Sequence, residues 1–365
     1  MESLLIYGGS FDPIHNGHLR MARAASLLLN ADVVFVPSKS PRWKNPMASP
    51  SQRLSMLKLA LNENGSGSFF ISDFELKSDS EINYSVDTVA YFARKYRKRQ
   101  LYLLIGADEA NSFPKWKDPD LIAKMARIVY VPRPGVKVDD VALSRFRMIR
   151  LDYSKSGEVS SSDVRRLQSS DIPMSVRSYI EQHGLYYFQK LSRLLTPKRL
   201  LHSVSVGHLA YSIAIRNKNP SYQKAYCAGL LHDIGKYLPK EEARLIMRRD
   251  YPEFLDMPEW SYHQFTGVTK AKEVFGVDDD EILQAISRHA TGDAHMPPLS
   301  KIIYSSDKIE PTRGYDSSKL INACYKNYYT GFLEVFKANM EFLAEGGYRI
   351  DNPLTKKCYE LYLGD

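Results

Sequence analysis

Residues 8–19 run Gly8-Gly9-Ser10-Phe11-Asp12-Pro13-Ile14-His15-Asn16-Gly17-His18-Leu19, or GGSFDPIHNGHL. They follow the apolar run Leu4 to Tyr7 and precede apolar residues at helical spacing from Leu19 to Leu29, which makes them a strand-to-helix turn. Glycines at such a turn let backbone N–H groups approach a phosphate, and the positive end of the helix dipole favours the anion. Gly8, Gly9 and Ser10 by themselves mark no more than a tight turn. His15 and His18 change that, because two imidazoles so close together, one at the helix start, are poor core material and good donors to phosphate oxygens. Phe11 and Pro13 fix the turn between the glycines and the histidines.

Working outward, strand-like runs lie at Leu4 to Tyr7, Val33 to Val36, Phe69 to Ser72, Leu101 to Ile105, Ile128 to Val131 and Met148 to Leu151. Helical periodicity falls between them at Leu19 to Leu29, Arg53 to Leu61, Ser85 to Tyr96 and Pro119 to Met125. Strict alternation predicts a doubly wound α/β domain, its parallel sheet covered on both faces and its phosphate-bearing ligands at the carboxyl ends of the strands. Past residue 190 strand-like runs almost vanish. Helical patterns take over at Thr196 to Arg216, Tyr222 to His232, Pro239 to Arg249, Thr266 to Phe275, Asp279 to His289, Leu299 to Lys308 and Ser317 to Leu343. An all-helical second domain is expected, with the division at 1–188 and 189–365 and no Pro/Gly/Ser linker between them.

Composition narrows the class. The 365 residues are 44% hydrophobic and 25% charged, long enough for two soluble domains. The net charge of +8 sits mainly in the first half and suits nucleotides as well as nucleic acid. The basic run Arg94 to Arg99 follows an apolar stripe at helical spacing and reads as a solvated helix end, so no nucleic-acid partner is expected. The three cysteines form no CxxC pair, which points to a reducing compartment. No uninterrupted apolar stretch approaches the roughly 20 residues that span a bilayer, so the expectation is a cytoplasmic protein without membrane association.

A second constellation lies in the helical half: His202, His232-Asp233, His263, His289 and Asp307. Isolated histidines on helices are usually exposed or satisfied in the core. His232-Asp233, however, ends the apolar run Ala228-Gly229-Leu230-Leu231, where ligation readily explains two adjacent metal-capable residues. All-α domains build metal sites from side chains of several inward-facing helices.

The turn at 8–19 also carries a family resemblance, shared with Pro37 to Lys44 (PSKSPRWK), Arg53 in PSQRLSMLKLAL, Asn83 to Thr88, Ile105-Gly106-Ala107-Asp108 followed by Trp116, and Val159 to Arg165. These motifs resemble the nicotinate mononucleotide adenylyltransferases, nucleotidyltransferases of Rossmann-like fold. The resemblance implies attack by a phosphate oxygen of nicotinate mononucleotide on the α-phosphorus of ATP, expelling pyrophosphate. That nucleophile is already an anion, so catalysis reduces to positioning and charge neutralisation. By resemblance, His15 and His18 hold the ATP phosphates, and Lys44 and Arg165 are further cations. Ser162 supplies a hydroxyl and N–H groups, and Gly8, Gly9, Ser10 and Phe11 surround the nucleotide. Ser85, Asp108 and Trp116 meet the nicotinate nucleotide, the indole offering a face to the pyridine ring. Mg²⁺ would arrive with ATP. Two departures, Lys117 after the tryptophan and Ser85 where threonine is common, bear on fine substrate preference.

The helical motifs Arg199 to Ser203, His263 ahead of FTGVTKAKEVFG, Ile286 to Gly292 and Lys301 to Pro311 resemble the HD-domain phosphohydrolases. They are most similar to the bacterial YqeK-type group, which cleaves diadenosine tetraphosphate symmetrically to two ADP. The resemblance implies one metal on His202, His232, Asp233 and Asp307, and a second completed by His263 and His289. Lys236 would meet a substrate phosphate, and Arg199 would stand behind the metals or on a phosphate. One or two transition-metal ions are implied, iron foremost, with manganese or zinc also suited to the set. His183 and His208 read as structural or exposed, and His295 as a loop residue near the site.

The leading expectation is therefore a bifunctional enzyme acting on ATP, nicotinate mononucleotide and dinucleoside polyphosphates, with homo-oligomerisation left open. Two alternatives stand beside it: a transferase for another phosphate acceptor, and an RNA-binding module with a degenerate HD domain. Against the latter, every HD position is filled and no basic, aromatic stacking platform is present.

Overall fold

The computed structural model describes residues 2–39, 46–64, 67–80, 82–133, 135–152, 159–348 and 350–364. The chain forms two compact units, Met1–Val164 with Asp171–Tyr186, and Arg165–Ser170 with Tyr187–Asp365.

The first unit is built on six strands: β1 (Ser3–Gly9), β2 (Ala31–Pro37), β3 (Phe69–Ile71), β4 (Gln100–Gly106), β5 (Arg127–Val131) and β6 (Ile149–Arg150). All pair in parallel, in the order β3-β2-β1-β4-β5-β6. Parallel neighbours need crossovers, and helices supply them. They are α1 (Asn16–Leu29), α2 (Pro50–Asn64), α3 (Ser85–Lys95), α4 (Ala107–Ser112), α5 (Pro119–Met125) and α6 (Asp140–Phe146); α7 (Ser161–Arg165) and α8 (Met174–Gln182) follow the last strand. Leu4, Leu5 and Ile6 are all buried, as they must be when helices cover both faces of a strand. The chain winds outward through β1, β2 and β3, then returns to start again at β4. The order reverses between β1 and β4, and ligands of open α/β sheets bind outside the carboxyl ends of strands at such a switch point. Gly8-Gly9 and Gly106 are the residues found there.

The second unit is helical: α9 (Tyr187–Leu194), α10 (Pro197–Arg216), α11 (Tyr222–Leu231), α12 (Lys240–Asp250), α13 (Tyr262–Lys270), α14 (Asp280–Arg288), α15 (Pro298–Ile309), α16 (Ser318–Lys326), α17 (Tyr328–Glu345) and α18 (Pro353–Tyr362). Helices α10 and α11 touch backbone to backbone, since a Cβ on Gly229 would stand 2.5 Å from the Gly207 Cα. Only glycine fits at this contact, three residues before His232 and Asp233 leave the end of α11.

Residues 317–343, expected as one helix, form two. Asn327 is extended (φ −155°, ψ 119°), and its carboxamide accepts from the Tyr329 and Thr330 amides at 2.9 and 3.0 Å. An asparagine that caps a new helix interrupts apolar periodicity without altering it. The helix expected from Thr266 starts earlier, at Tyr262, and so carries His263; it continues as a single π-helical turn over Ala271–Phe275. No helix of the described residues is long and apolar enough to cross a membrane.

Candidate active sites

In the first unit, β1 hands the chain to a turn that ends at His15, the N-cap of α1. The two histidines cap each other: the His15 amide donates to His18 Nδ1 at 3.2 Å and the His18 amide to His15 Nδ1 at 3.3 Å. Their rings lie 3.6 Å apart, centroid to centroid. A peptide N–H can only donate, so both Nδ1 atoms accept, and a neutral imidazole then carries its proton on Nε2. Each ring therefore carries its donor proton on Nε2. Burial, reinforced by Arg20, lowers the His15 imidazole to about 3 and keeps it neutral. Gly17 has no alternative, because a Cβ there would come within 2.9 Å of both His15 Nδ1 and Val159 Cγ1. Gly8, by contrast, faces open space.

Above pH 6.5 His15 is neutral whether the chain is folded or unfolded, and stability is complete. Between pH 6.5 and about 3 the unfolded chain binds a proton that the folded chain refuses, so His15 alone costs about 1.4 kcal/mol of stability per pH unit of acidification. NMR of the folded protein is expected to show an imidazole at His15 that does not titrate between pH 8 and 5. A midpoint near 6.5 would contradict this.

Phe11 is buried with φ of 47°, and its ring packs on Tyr7, His18 and Phe35. Its side chain belongs to the core, which leaves only its backbone for a ligand. Two charged residues fix the surrounding loops. Arg53 is wholly buried and donates to the carbonyls of Ser10 and Ser38 at 2.6 and 2.7 Å, tying the turn to the end of β2. Asp12 accepts from the Met47 and Ala48 amides and the Tyr186 hydroxyl at 2.9, 3.1 and 2.8 Å. Sequence reasoning gave Asp12 no role and knew Arg53 only as part of a motif.

The start of α7 is drawn to the same turn. Ser160 and Asp163 cap each other at 2.8 and 3.1 Å, Ser161 Oγ donates to the Pro13 carbonyl at 2.9 Å, and Ser162 follows. Arg165 ends this helix and is grouped with the second unit. Across the switch point, after β4, Asp108 is exposed and ion-paired with Arg133 at 2.7 Å. Trp116 is half-buried against Phe113, its ring 5.2 Å away. Ser85 opens α3, and the Lys117 ammonium lies 4.3 Å from the Tyr84 ring centre. Lys44 lies outside the described residues.

In the second unit five helices deliver their residues to one buried point. His202 comes from α10, His232 and Asp233 from the end of α11, His263 from α13, His289 from the end of α14 and Asp307 from α15. His202 Nε2 lies 3.1 Å from Asp307 Oδ1 and 3.9 Å from Asp233 Oδ2. His232 Nε2 lies 3.4 Å from Asp233 Oδ2 and 3.6 Å from Asp307 Oδ1. On the other side, His263 Nε2 and His289 Nε2 are 3.1 Å apart and stand 3.3 and 3.5 Å from Asp233 Oδ1. Asp233 thus gives one oxygen to each pair of histidines.

The donors fit metal ions. Ligand atoms about 2.1 Å from a cation lie about 3.0 Å apart at octahedral edges and about 3.4 Å apart at tetrahedral ones. Most separations, 3.1–3.6 Å, lie near these values, His202 to Asp233 being wider at 3.9 Å, and two triads, His202-His232-Asp233 and Asp233-His263-His289, are compact enough to hold an ion. His232 Nε2 is buried and makes no hydrogen bond. Every Nδ1 is engaged from behind: His202 by Glu310 Oε1 at 2.8 Å, His232 by the Gly229 carbonyl at 2.7 Å, His263 by that of Trp260 at 2.8 Å and His289 by that of Ile286 at 2.7 Å. Carbonyls only accept, so Nδ1 keeps the proton and the Nε2 lone pair faces inward.

The electrostatics agree. Burial disfavours the anions, yet His232 holds Asp233, and Lys308 and His202 hold Asp307, well below the usual carboxylate range. Burial disfavours a charged His232 as well, yet Asp233 raises it to about 9, so the pocket draws positive charge to that nitrogen. Burial and the neighbouring His289 push His263 well down and leave it neutral. A ring of cations surrounds the acids. Arg199 meets Asp233 at 2.8 Å, Lys308 and Arg313 meet Asp307 at 2.8 and 2.6 Å, and Lys236 Nζ is 3.5 Å from His263 Nε2.

Sequence reasoning assigned nothing to Lys308, Glu310 or Arg313. The three-residue spacing of Asp307, on α15, and Glu310, the extended residue that ends it, was a usable signal; Arg313 left none. Glu310 is expected to orient His202, so Glu310→Gln should weaken metal binding 10- to 100-fold, read as faster metal loss in a chelator titration. Unchanged retention would remove that role. Among the other histidines, His183 packs on Tyr179 and His208 on Tyr226, while His295 takes a positive φ of 52°.

Comparison with known proteins matches residues 6–167 to the cytidylyltransferase-like family and residues 199–312 to the HD domain. A Mycoplasma pneumoniae protein described as a probable nicotinate-nucleotide adenylyltransferase/Ap4A hydrolase is 31% identical over 86% of this chain and 90% of its own. A Mycoplasma genitalium protein of the same description is 30% identical over 92% and 97%. Among solved structures, a predicted HD superfamily hydrolase involved in NAD metabolism from Clostridium acetobutylicum is 31% identical, covering 47% of this chain and 93% of that one, with a TM-score of 0.42.

Proposed function

The chain belongs to the family of nicotinate-nucleotide adenylyltransferase/Ap4A hydrolases, a nucleotidyltransferase domain followed by an HD domain, and on that premise we propose that it is a bifunctional cytoplasmic enzyme. The division of labour follows residues 1–188 and 189–365.

The first domain transfers AMP from ATP to nicotinate mononucleotide. A phosphate oxygen of the mononucleotide bonds to the α-phosphorus while the bond from that phosphorus to the bridging oxygen breaks, giving deamido-NAD and pyrophosphate. His15 and His18, as neutral Nε2–H donors, bind the phosphates and the charge that develops on the leaving oxygen without exchanging a proton. Gly8, Gly9, Ser10, the Phe11 backbone and Ser162 surround the nucleotide, and Lys44 and Arg165 add positive charge. Ser85, Asp108 and Trp116 receive the nicotinate end. Mg²⁺ accompanies ATP.

The second domain hydrolyses nucleoside polyphosphates, diadenosine tetraphosphate to two ADP foremost. His202, His232, Asp233 and Asp307 would hold one divalent cation, and Asp233, His263 and His289 another, with iron, manganese or zinc suited to the set. Such ions, when bound, activate water and offset phosphate charge. The chain's own part is to fix each imidazole through its Nδ1 and to meet the polyphosphate with Lys236, Arg199, Lys308 and Arg313. The observation that carries this reading is the sharing of Asp233 between two histidine pairs.

The test is direct. Pyrophosphate should appear only when ATP and nicotinate mononucleotide are both present, and diadenosine tetraphosphate should yield ADP in a reaction that a chelator stops. A purified chain that turns over neither nicotinate mononucleotide nor its amide counterpart overturns the first assignment. Chelator-insensitive hydrolysis overturns the second.

A further inference from the structure

The helical unit holds a cavity of about 330 Å³ that the proposed chemistry has not used; none of the six cluster residues lines it, but their chain neighbours do. Its walls include Trp260, Thr291, Tyr304, Asn339 and Tyr348. Three of these belong to the segments that carry the cluster. The Trp260 carbonyl holds His263 Nδ1, Thr291 is two residues past His289, and Tyr304 is one helical turn before Asp307. Lys308 joins the two places: its ammonium lies 5.0 Å from the Tyr304 ring centre, 2.8 Å from Asp307 Oδ2 and 3.4 Å from the His289 carbonyl.

The cavity has the size and lining of a small-molecule site. Trp260 is 55% exposed and Tyr348 64% exposed, so both rings are open to a ligand. The Tyr304 hydroxyl accepts from Asn339 Nδ2 at 3.1 Å and so keeps its own proton for an acceptor in the cavity. Asp351 at the rim offers oxygens to a diol. An aromatic face, a buried donor and a cation set between Tyr304 and Asp307 are what a base, its ribose and the adjoining phosphate require.

The geometry points to this cavity as the seat of one nucleoside of the polyphosphate substrate, with the base against Trp260 and the first phosphates beside Lys308. This rests on the hydrolase reading above and adds to it the group that selects nucleotides over inorganic polyphosphate. No covalent step is involved.

Two measurements on the full chain test it. Trp260→Ala should raise KM for diadenosine tetraphosphate about tenfold, the loss of one stacked base, with kcat falling less than KM rises and bound metal unchanged by elemental analysis. Trp260→Phe should restore KM to within about threefold, since a phenyl ring also stacks. In protein labelled with 5-fluorotryptophan, the chain's three tryptophans give separable ¹⁹F signals, and that of Trp260 is the one missing from Trp260→Phe. ADP should move that signal and inorganic pyrophosphate should not. If the wild type releases no ADP, the hydrolase reading falls. If hydrolysis proceeds with KM unaltered in Trp260→Ala, or pyrophosphate moves the signal as ADP does, the nucleoside seat falls.

Discussion

Replacing His232 with alanine is expected to lower hydrolysis of diadenosine tetraphosphate about a thousandfold or more, to release metal, and to leave adenylyl transfer at the wild-type rate. His232 is fully buried, and its Nε2 stands between Asp233 and Asp307 with no hydrogen bond of its own. Alanine removes one donor and leaves two carboxylates facing a void, so the cation that would neutralise them is held less tightly. A loss of several kcal/mol in charge stabilisation converts to about three decades in rate. The check is ADP formation measured beside elemental analysis and pyrophosphate release on the same preparation. Equal loss of both activities would refute separate sites.

The reciprocal experiment is His18→Ala, expected to reduce kcat of adenylyl transfer about 10²- to 10³-fold, the usual cost of deleting one donor at a developing oxyanion, with hydrolysis unaffected. The substitution also removes an acceptor, because His18 Nδ1 receives the His15 amide. Loss of that cap costs about 1 kcal/mol. His18→Gln separates the two effects: its carboxamide oxygen can still accept at the third helical position, so stability should recover while the rate does not. Recovery of the rate with the cap would assign His18 to structure alone.

The alternation of apolar runs with helical spacing foretold the α/β domain, since strands covered on both faces must be apolar throughout. All six strand-like runs became strands, displaced by a few residues at their ends. The convergence of histidines and aspartates was legible because His232-Asp233 sits where an apolar helix has no structural need for either residue. What escaped was long-range or single-residue chemistry. Arg53 reaches carbonyls brought near only by the fold, and Arg313 meets Asp307 from a turn with no periodic signature. The break at Asn327 escaped because one carboxamide ends a helix without disturbing the pattern around it.

The reciprocal cap at the head of α1 has one more consequence. Each imidazole closes a backbone bond of the other, so exchanging either histidine unsettles its neighbour unless the new side chain keeps an acceptor at the same place. A neutral path from this pair to another pair of donors must keep such an acceptor at every step, or change both residues at once. Selection therefore meets His15 and His18 as one inherited character.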